Sequence, residues 1–201
     1  MLQRLLGASA FFGALTFLAA GSAPARTAVT DGPAGRFDLD GSHTEVMFNV
    51  KHLGISNFYG RFDKVTGKVI VDADDPAESM IHLDIDAKSI DTNDAARDKH
   101  LRSADFFNVE EHASIVFDSE TITAKDATHF EVAGTLEMHG AKKPVMAQVE
   151  QTGYGTVGQF GTRVGYEAKL TIKRSEFGMD YMPGGLGEEV EILISLEGVK
   201  K

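Results

Sequence analysis

The densest group of side chains able to do chemistry runs from Asn93 to His100, where Arg97, Asp98, Lys99 and His100 follow one another. On a helix, Asn93, Arg97 and His100 or Leu101 share one face and Asp98 and Arg102 another, because residues three and four apart are neighbours. A guanidinium offers a planar fork of donors, so Arg97 with His100 could meet a diphosphate. The same residues also fit a solvated helix face with local ion pairs, each contributing little. The second polar candidate is His52. It continues the phase of Val46, Phe48 and Val50 and precedes Leu53-Gly54, which predicts an inward position at a strand end. There it could hydrogen-bond a ligand carbonyl, pair with a phosphate, or be a core histidine bonded to a neighbouring loop.

Other chemistries find no footing. The seven histidines, at 43, 52, 82, 100, 112, 129 and 139, show no H-x-H or H-E-x-x-H spacing, and Glu110-Glu111-His112 reads as a surface turn. With no cysteine there is no thiolate ligand or nucleophile and no disulfide. No G-x-S-x-G elbow or glycine-rich phosphate loop occurs, and Asp98 with His100 lacks a nucleophile. No catalytic residue, metal ligand or cofactor motif is assigned.

The elements that must position these residues have a period of two. Val46-Phe48-Val50-His52, Val65-Gly67-Val69-Val71, Ile81-Leu83-Ile85-Ala87 and Ile115-Phe117 each lie on one face. So do Phe130-Val132-Gly134-Leu136-Met138, Val145-Ala147-Val149, Tyr166-Ala168-Leu170-Ile172 and Val190-Ile192-Ile194-Leu196. These are eight strand candidates, separated by turn residues such as Asp74-Asp75-Pro76 and Pro183-Gly184-Gly185. Between the third and fourth, the helix formers of Asn93 to Ser103 follow an Asp91-Thr92-Asn93-Asp94 cap region and predict one short helix. Eight antiparallel strands close into a barrel or stack as a sandwich. The small inward residues Gly67, Ala87, Gly134, Ala147 and Ala168 favour a barrel with space inside.

At the N-terminus, Met1 to Arg4 is basic, Leu5 to Ala20 is uncharged and apolar, and Gly21 to Ala25 is small, the pattern of a secretory signal peptide over residues 1–25. Residues 26–36 read as a flexible leader and 37–201 as one domain. With the signal removed, no membrane anchor is expected. The formal charge of -10 argues against nucleic acid as a partner, which would require a basic patch.

Four blocks in order carry a resemblance: His52-Leu-Gly-Ile-Ser-Asn-Phe-Tyr-Gly-Arg-Phe62, Ser89 to Phe106, Gly134 to Val145, and Glu189 to Gly198. From about Phe37 onward the chain resembles the YceI-like polyisoprenoid-binding family. The resemblance implies an all-β, eight-stranded antiparallel lipocalin-like barrel in the periplasm of a Gram-negative bacterium, holding a long-chain isoprenoid lipid such as a polyprenyl lipid or isoprenoid quinone. It also implies a possible homodimer. The loops Tyr154 to Thr162 and Met179 to Gly187 carry no shared pattern, and any loop at the mouth would influence head-group preference.

For such a ligand the strand faces supply Phe48, Val50, Val69, Ile85, Phe117, Leu136, Leu170 and Ile194 as lining candidates. Phe58, Phe62, Phe106 and Phe107 lie near strand or helix ends, and His52, Arg97 and His100 are the polar candidates. Each apolar one is also an ordinary core residue in a packed barrel. A non-catalytic carrier or store is the expected function; the alternatives are an enzyme acting on an isoprenoid or quinone and a packed structural or stress-response barrel.

Overall fold

The computed structural model describes residues 32–201. The signal-peptide reading and most of the leader lie outside these residues. In chain order the elements are β1 (Gly35–Leu39), β2 (Glu45–His52), β3 (Ser56–Phe62), β4 (Val65–Val71), β5 (Met80–Asp86), β6 (Ile90–Asp91), α1 (Ala95–Leu101), β7 (Ser114–Ala124), β8 (His129–Met138), β9 (Ala141–Thr156), β10 (Thr162–Lys173) and β11 (Leu186–Lys200).

Eight strands, β1-β4-β5-β7-β8-β9-β10-β11, close on themselves through β1 and β11, and every pairing between strands is antiparallel. Closure leaves those strands no free edge at that end. The remaining three form a branch. One edge of β11 pairs with β2 from Leu186↔His52 to Ser195↔Glu45, and then with β1 at Gly198↔Leu39 and Lys200↔Phe37. From β2 the wall continues through β3 to β6, which follows β5 after a single 3-10 turn. The barrel is therefore walled by different strands at its two ends.

The fold is all-β and holds a closed eight-stranded antiparallel barrel, as the sequence predicts, although the eight are not all the strands the sequence marks. Among the described residues three further strands, β2, β3 and β6, branch from it, and the helix lies between β6 and β7 in chain order, not between the third and fourth strands. The ring uses β1, which begins at Gly35 inside the supposed leader, while the Val46 strand belongs to the branch. Glycine and proline at 32, 33 and 35 hide the pattern of β1, Gly60 breaks the apolar face of β3, and β6 has only two residues.

The helix forms where its cap predicts. Asp94 is extended at the N-cap and its Oδ1 accepts the Arg97 N–H at 2.9 Å. Two contacts fix it to the barrel. Buried Asp98 accepts the N–H and hydroxyl of Thr92, and beyond the helix Arg102 donates to the carbonyls of Lys88 at 2.8 Å and Ile90 at 2.7 Å.

The interior has a packed part and a hollow part. Phe37, Val69, Val132, Val164 and Leu196 are buried toward the end closed by β1. There Tyr166 is also buried, and desolvation pushes its phenol up to about 12. Of the small inward residues, Ala147 lies on the wall of the hollow part, while two glycines seat aromatic rings. A Cβ at Gly60 would collide with the Phe48 ring, and one at Gly134 would lie 2.8 Å from the Phe117 ring and closer still to the Asp118 carbonyl. These glycines let phenyl rings lie flat on the wall.

Gly60→Ala should therefore cost about 1–3 kcal/mol in urea unfolding, whereas Gly153→Ala, with nothing within 4 Å of its Cβ position, should stay within about 0.5 kcal/mol. Equal losses would refute the ring-seat explanation. The raised phenol of Tyr166 favours folding with its proton on. Its contribution should be intact below the unfolded value of about 10 and fall as pH rises from there through about 12. Ultraviolet titration should show a late-ionising tyrosine in wild type that is lost in Tyr166→Phe.

Candidate functional site

The hollow part is a cavity of about 520 Å³, within the range of small-molecule sites. Inward residues of β2, β3, β5, β7, β8, β9, β10 and β11 form its sides, and α1 with the segment to Phe107 covers one flank. Phe48 meets Phe62 at 5.8 Å between ring centroids, and Phe62 meets Phe107 edge-on at 5.5 Å.

Of the fifteen residues singled out from the sequence, fourteen lie on this wall. From the strands come Phe48, Val50, Phe58, Phe62, Ile85, Phe117, Leu136, Leu170 and Ile194; from the helix side Arg97, His100, Phe106 and Phe107; and from the end of β2, His52. Val69 is the exception. It has the inward phase, but β4 places it opposite Phe37 and Ile81 in the packed part, where side chains fill the space.

The polar groups gather at one end. His52 is exposed, opposite Leu186, so it sits at the mouth and is not a core histidine. Arg97 donates from Nε to Thr92 Oγ1 at 2.8 Å and from Nη2 to the Thr92 carbonyl at 2.6 Å, with its guanidinium 4.5 Å from the centre of the Phe58 ring. His100 meets Asp105 through Nε2 at 2.8 Å, and its ring stands edge-on between Phe106 and Tyr181 at 5.1 and 5.0 Å. Both helix residues thus face the mouth, each already held by protein partners.

Among the wall residues that the sequence candidates do not include, Arg174 matters most. It is 5% exposed and lies on the cavity wall in a 3-10 turn after β10. Its Nε donates to the Gly187 carbonyl at 2.9 Å, Nη1 to those of Met179 at 2.7 Å and Tyr181 at 2.8 Å, and Nη2 to that of Leu186 at 3.3 Å. One buried cation thereby folds the whole loop before β11 over the mouth. No spacing signal marks such a residue, since its partners are backbone carbonyls. Ile172, Val190 and Ile192 were also passed over, although they share the phase of chosen neighbours.

Among the described residues the cavity wall carries His52, Arg97, His100, Arg174 and Tyr181 as its ionisable groups and no carboxylate. The arrangement can shelter an apolar chain and offer donors to a polar group at one end. Of the two unmatched loops, Met179 to Gly187 borders this mouth; the β9–β10 hairpin lies at the far end of β10, where Thr162 pairs with Thr156.

Far from the cavity, Asp40, His43 and Glu197 bring three potential metal ligands together. Arg163 already fills the position of a cation there, with Nη1 2.8 Å from Asp40 Oδ2 and in contact with Glu197. The Ser42 hydroxyl, Arg163 and His43 hold the Asp40 carboxyl far below the usual carboxylate range. The group works as an ion-pair tie between the β1–β2 turn and the last two strands.

Residues 37–198 match the model of the YceI-like domain. The chain belongs to the YceI-like family. A UPF0312 protein of Azotobacter vinelandii is 36% identical over 201 residues, covering 100% of both chains, and one of Pseudomonas aeruginosa is 36% identical over 166 residues, covering 83% of this chain and 86% of its own. Among solved structures, the YCEI protein of Campylobacter jejuni is 26% identical with a TM-score of 0.68, over 75% of this chain and 90% of its own. A polyisoprenoid binding domain from Saccharophagus degradans shares the fold at a TM-score of 0.63 and 16% identity, over 84% of this chain and 100% of its own.

Replacing Arg174 by Lys leaves one ammonium for four carbonyls, so a stability loss of about 2–4 kcal/mol is expected. Amide exchange in Met179 to Gly187 should accelerate beyond that in β7 and β8. Uniform acceleration across the barrel would argue against a local clamp.

Proposed function

We propose that the hollow part of this barrel binds a long-chain isoprenoid lipid, a polyprenyl lipid or isoprenoid quinone, as a carrier or store in the periplasm and without catalysis. The observation that carries the reading is the cavity itself: a wall of phenyl rings and aliphatic side chains, closed at the β1 end, with its polar groups confined to one mouth. Membership of the YceI-like family supports it, as does the fold shared with a domain described as polyisoprenoid binding.

The energetics divide the work between the two parts. About ten buried CH₂ groups at ~0.8 kcal/mol each contribute about 8 kcal/mol before entropic costs. A neutral hydrogen bond to the head adds only about 1 kcal/mol net. The tail supplies affinity, while His52, Arg97 and His100 orient the head at the mouth. Export rests on the basic and apolar N-terminal segment. Among the described residues no helix is long and apolar enough to cross a membrane.

Native mass spectrometry of the protein recovered from the periplasmic fraction, followed by organic extraction, should reveal one prenyl lipid per chain. Ile194→Trp, which fills the cavity from β11, should lower occupancy at least about tenfold, or ~1.4 kcal/mol, with the fold retained by circular dichroism. A protein that arrives empty and takes up no added prenyl lipid would end the carrier reading.

A further inference from the structure

We propose that the rim of the mouth is a bilayer-docking surface, across which the lipid passes between membrane and cavity without entering water. The inference rests on the carrier reading and names the partner that loads it. Leu53 is 53% exposed and Ile55 83% at the tip of the β2–β3 hairpin, and Tyr181 is 42% and Met182 40% exposed in the loop that Arg174 folds. The two tips form one unit: the Leu53 N–H donates to the Gly185 carbonyl at 2.7 Å, and the Leu186 N–H to that of Met182 at 3.0 Å.

Backbone conformation adds a second observation. Leu53 and Met182 have φ of 53° and 56°, a region in which large aliphatic residues are strained and where Gly or Asn would serve better. Within the chain this strain brings little burial in return. Apolar tips that enter another phase recover it outside the chain.

The shape of the rim selects the partner. The exposed side chains border the opening of an apolar cavity, as His52, Tyr181, Met182 and Leu186 on its wall attest. A folded protein seated there would have to plug the opening or leave a void, whereas a fluid bilayer conforms to the rim and is itself the reservoir of the lipid.

Charge agrees with this choice. The chain has a formal charge of -10, which repels an anionic leaflet. At the rim, residues 51–57 include Lys51 and no carboxylate, and Arg97 faces the mouth. The acids near it include Asp94, which caps α1, Asp105, which is paired with His100, Asp180, and, just past the loop, Glu188, which accepts from Ser175, and Glu189. Apolar tips beside basic side chains are the composition that settles into the headgroup region of a membrane. The β9–β10 hairpin provides an internal control: Val157 and Phe160 are 54% and 59% exposed, yet that hairpin gives no residue to the cavity wall.

Mixed phosphatidylethanolamine and phosphatidylglycerol vesicles carrying a fluorescent prenyl lipid test the proposal, read by flotation and by transfer rate. Loading of the same probe from dilute ethanol, without vesicles, is measured in parallel and reports on the carrier reading alone. Wild type should float with vesicles. The double variant Leu53→Ser, Ile55→Ser should load normally from ethanol yet transfer from vesicles about tenfold or more slowly. Val157→Ser with Phe160→Ser should behave as wild type. Transfer at the wild-type rate by the rim variant, absence of wild-type flotation, or transfer that requires added periplasmic protein would each overturn bilayer docking. Failure to load from ethanol would instead strike the carrier reading.

Discussion

One edge of β11 has to serve two neighbours, and the form of the interior follows from that. Where the edge pairs with β1, the ring is tight and Phe37, Val69, Val164 and Leu196 fill it. Where it pairs with β2, the wall detours through β3 and β6 before returning to β5, and the enclosed space is wider than its side chains fill. A strand that kept one partner along its whole length would give a uniformly packed barrel or a uniformly open one. The change of partner places a closed floor and an open mouth in a single domain.

A hollow interior loses the dispersion contacts that a packed one gains, so its wall must be held by other means. Here the rings hold each other. Phe48 and Phe117 lie against glycine seats, and Phe62 joins Phe48 to Phe107, so that the wall is braced around the cavity. Elsewhere the bracing is polar: Asp98 on Thr92 and Arg102 on the Lys88 and Ile90 carbonyls hold the helix on its flank, and Arg174 holds the loop before β11 at the mouth. Each of these buried or half-buried charges finds backbone or hydroxyl partners, which is what makes its desolvation tolerable.

Much of this was legible in the sequence, and what was hidden was hidden for physical reasons. Period-two alternation identifies which face of a strand turns inward, and it brought Phe48, Ile85, Leu136 and Ile194 to the cavity wall. It carries no information about height along the barrel, so Val69 had the same signature while lying in the packed floor. A capped helix announces itself through local chemistry, as Asp94 does. A two-residue strand such as β6 has no period at all, and a buried arginine bonded to carbonyls leaves no pattern in side-chain spacing.

The wall's ionisable groups bear on how affinity and orientation would separate in the proposed carrier. In a chain with ten more acids than bases, the cavity wall takes no Asp or Glu from among the described residues, although it takes two arginines and two histidines. A carboxylate facing an apolar cavity would be desolvated without a partner, and it would repel any electron-rich head group that entered. Arginines escape that penalty because carbonyls and aromatic faces solvate them in place, as Thr92 and Phe58 do for Arg97. The two arginines therefore stand at the mouth without a counter-ion from the protein, whereas His100 has Asp105. A ligand with a long apolar tail is held by the tail wherever it lies, and the only free energy left to decide its direction is the polar end's preference for that cationic rim over the closed floor.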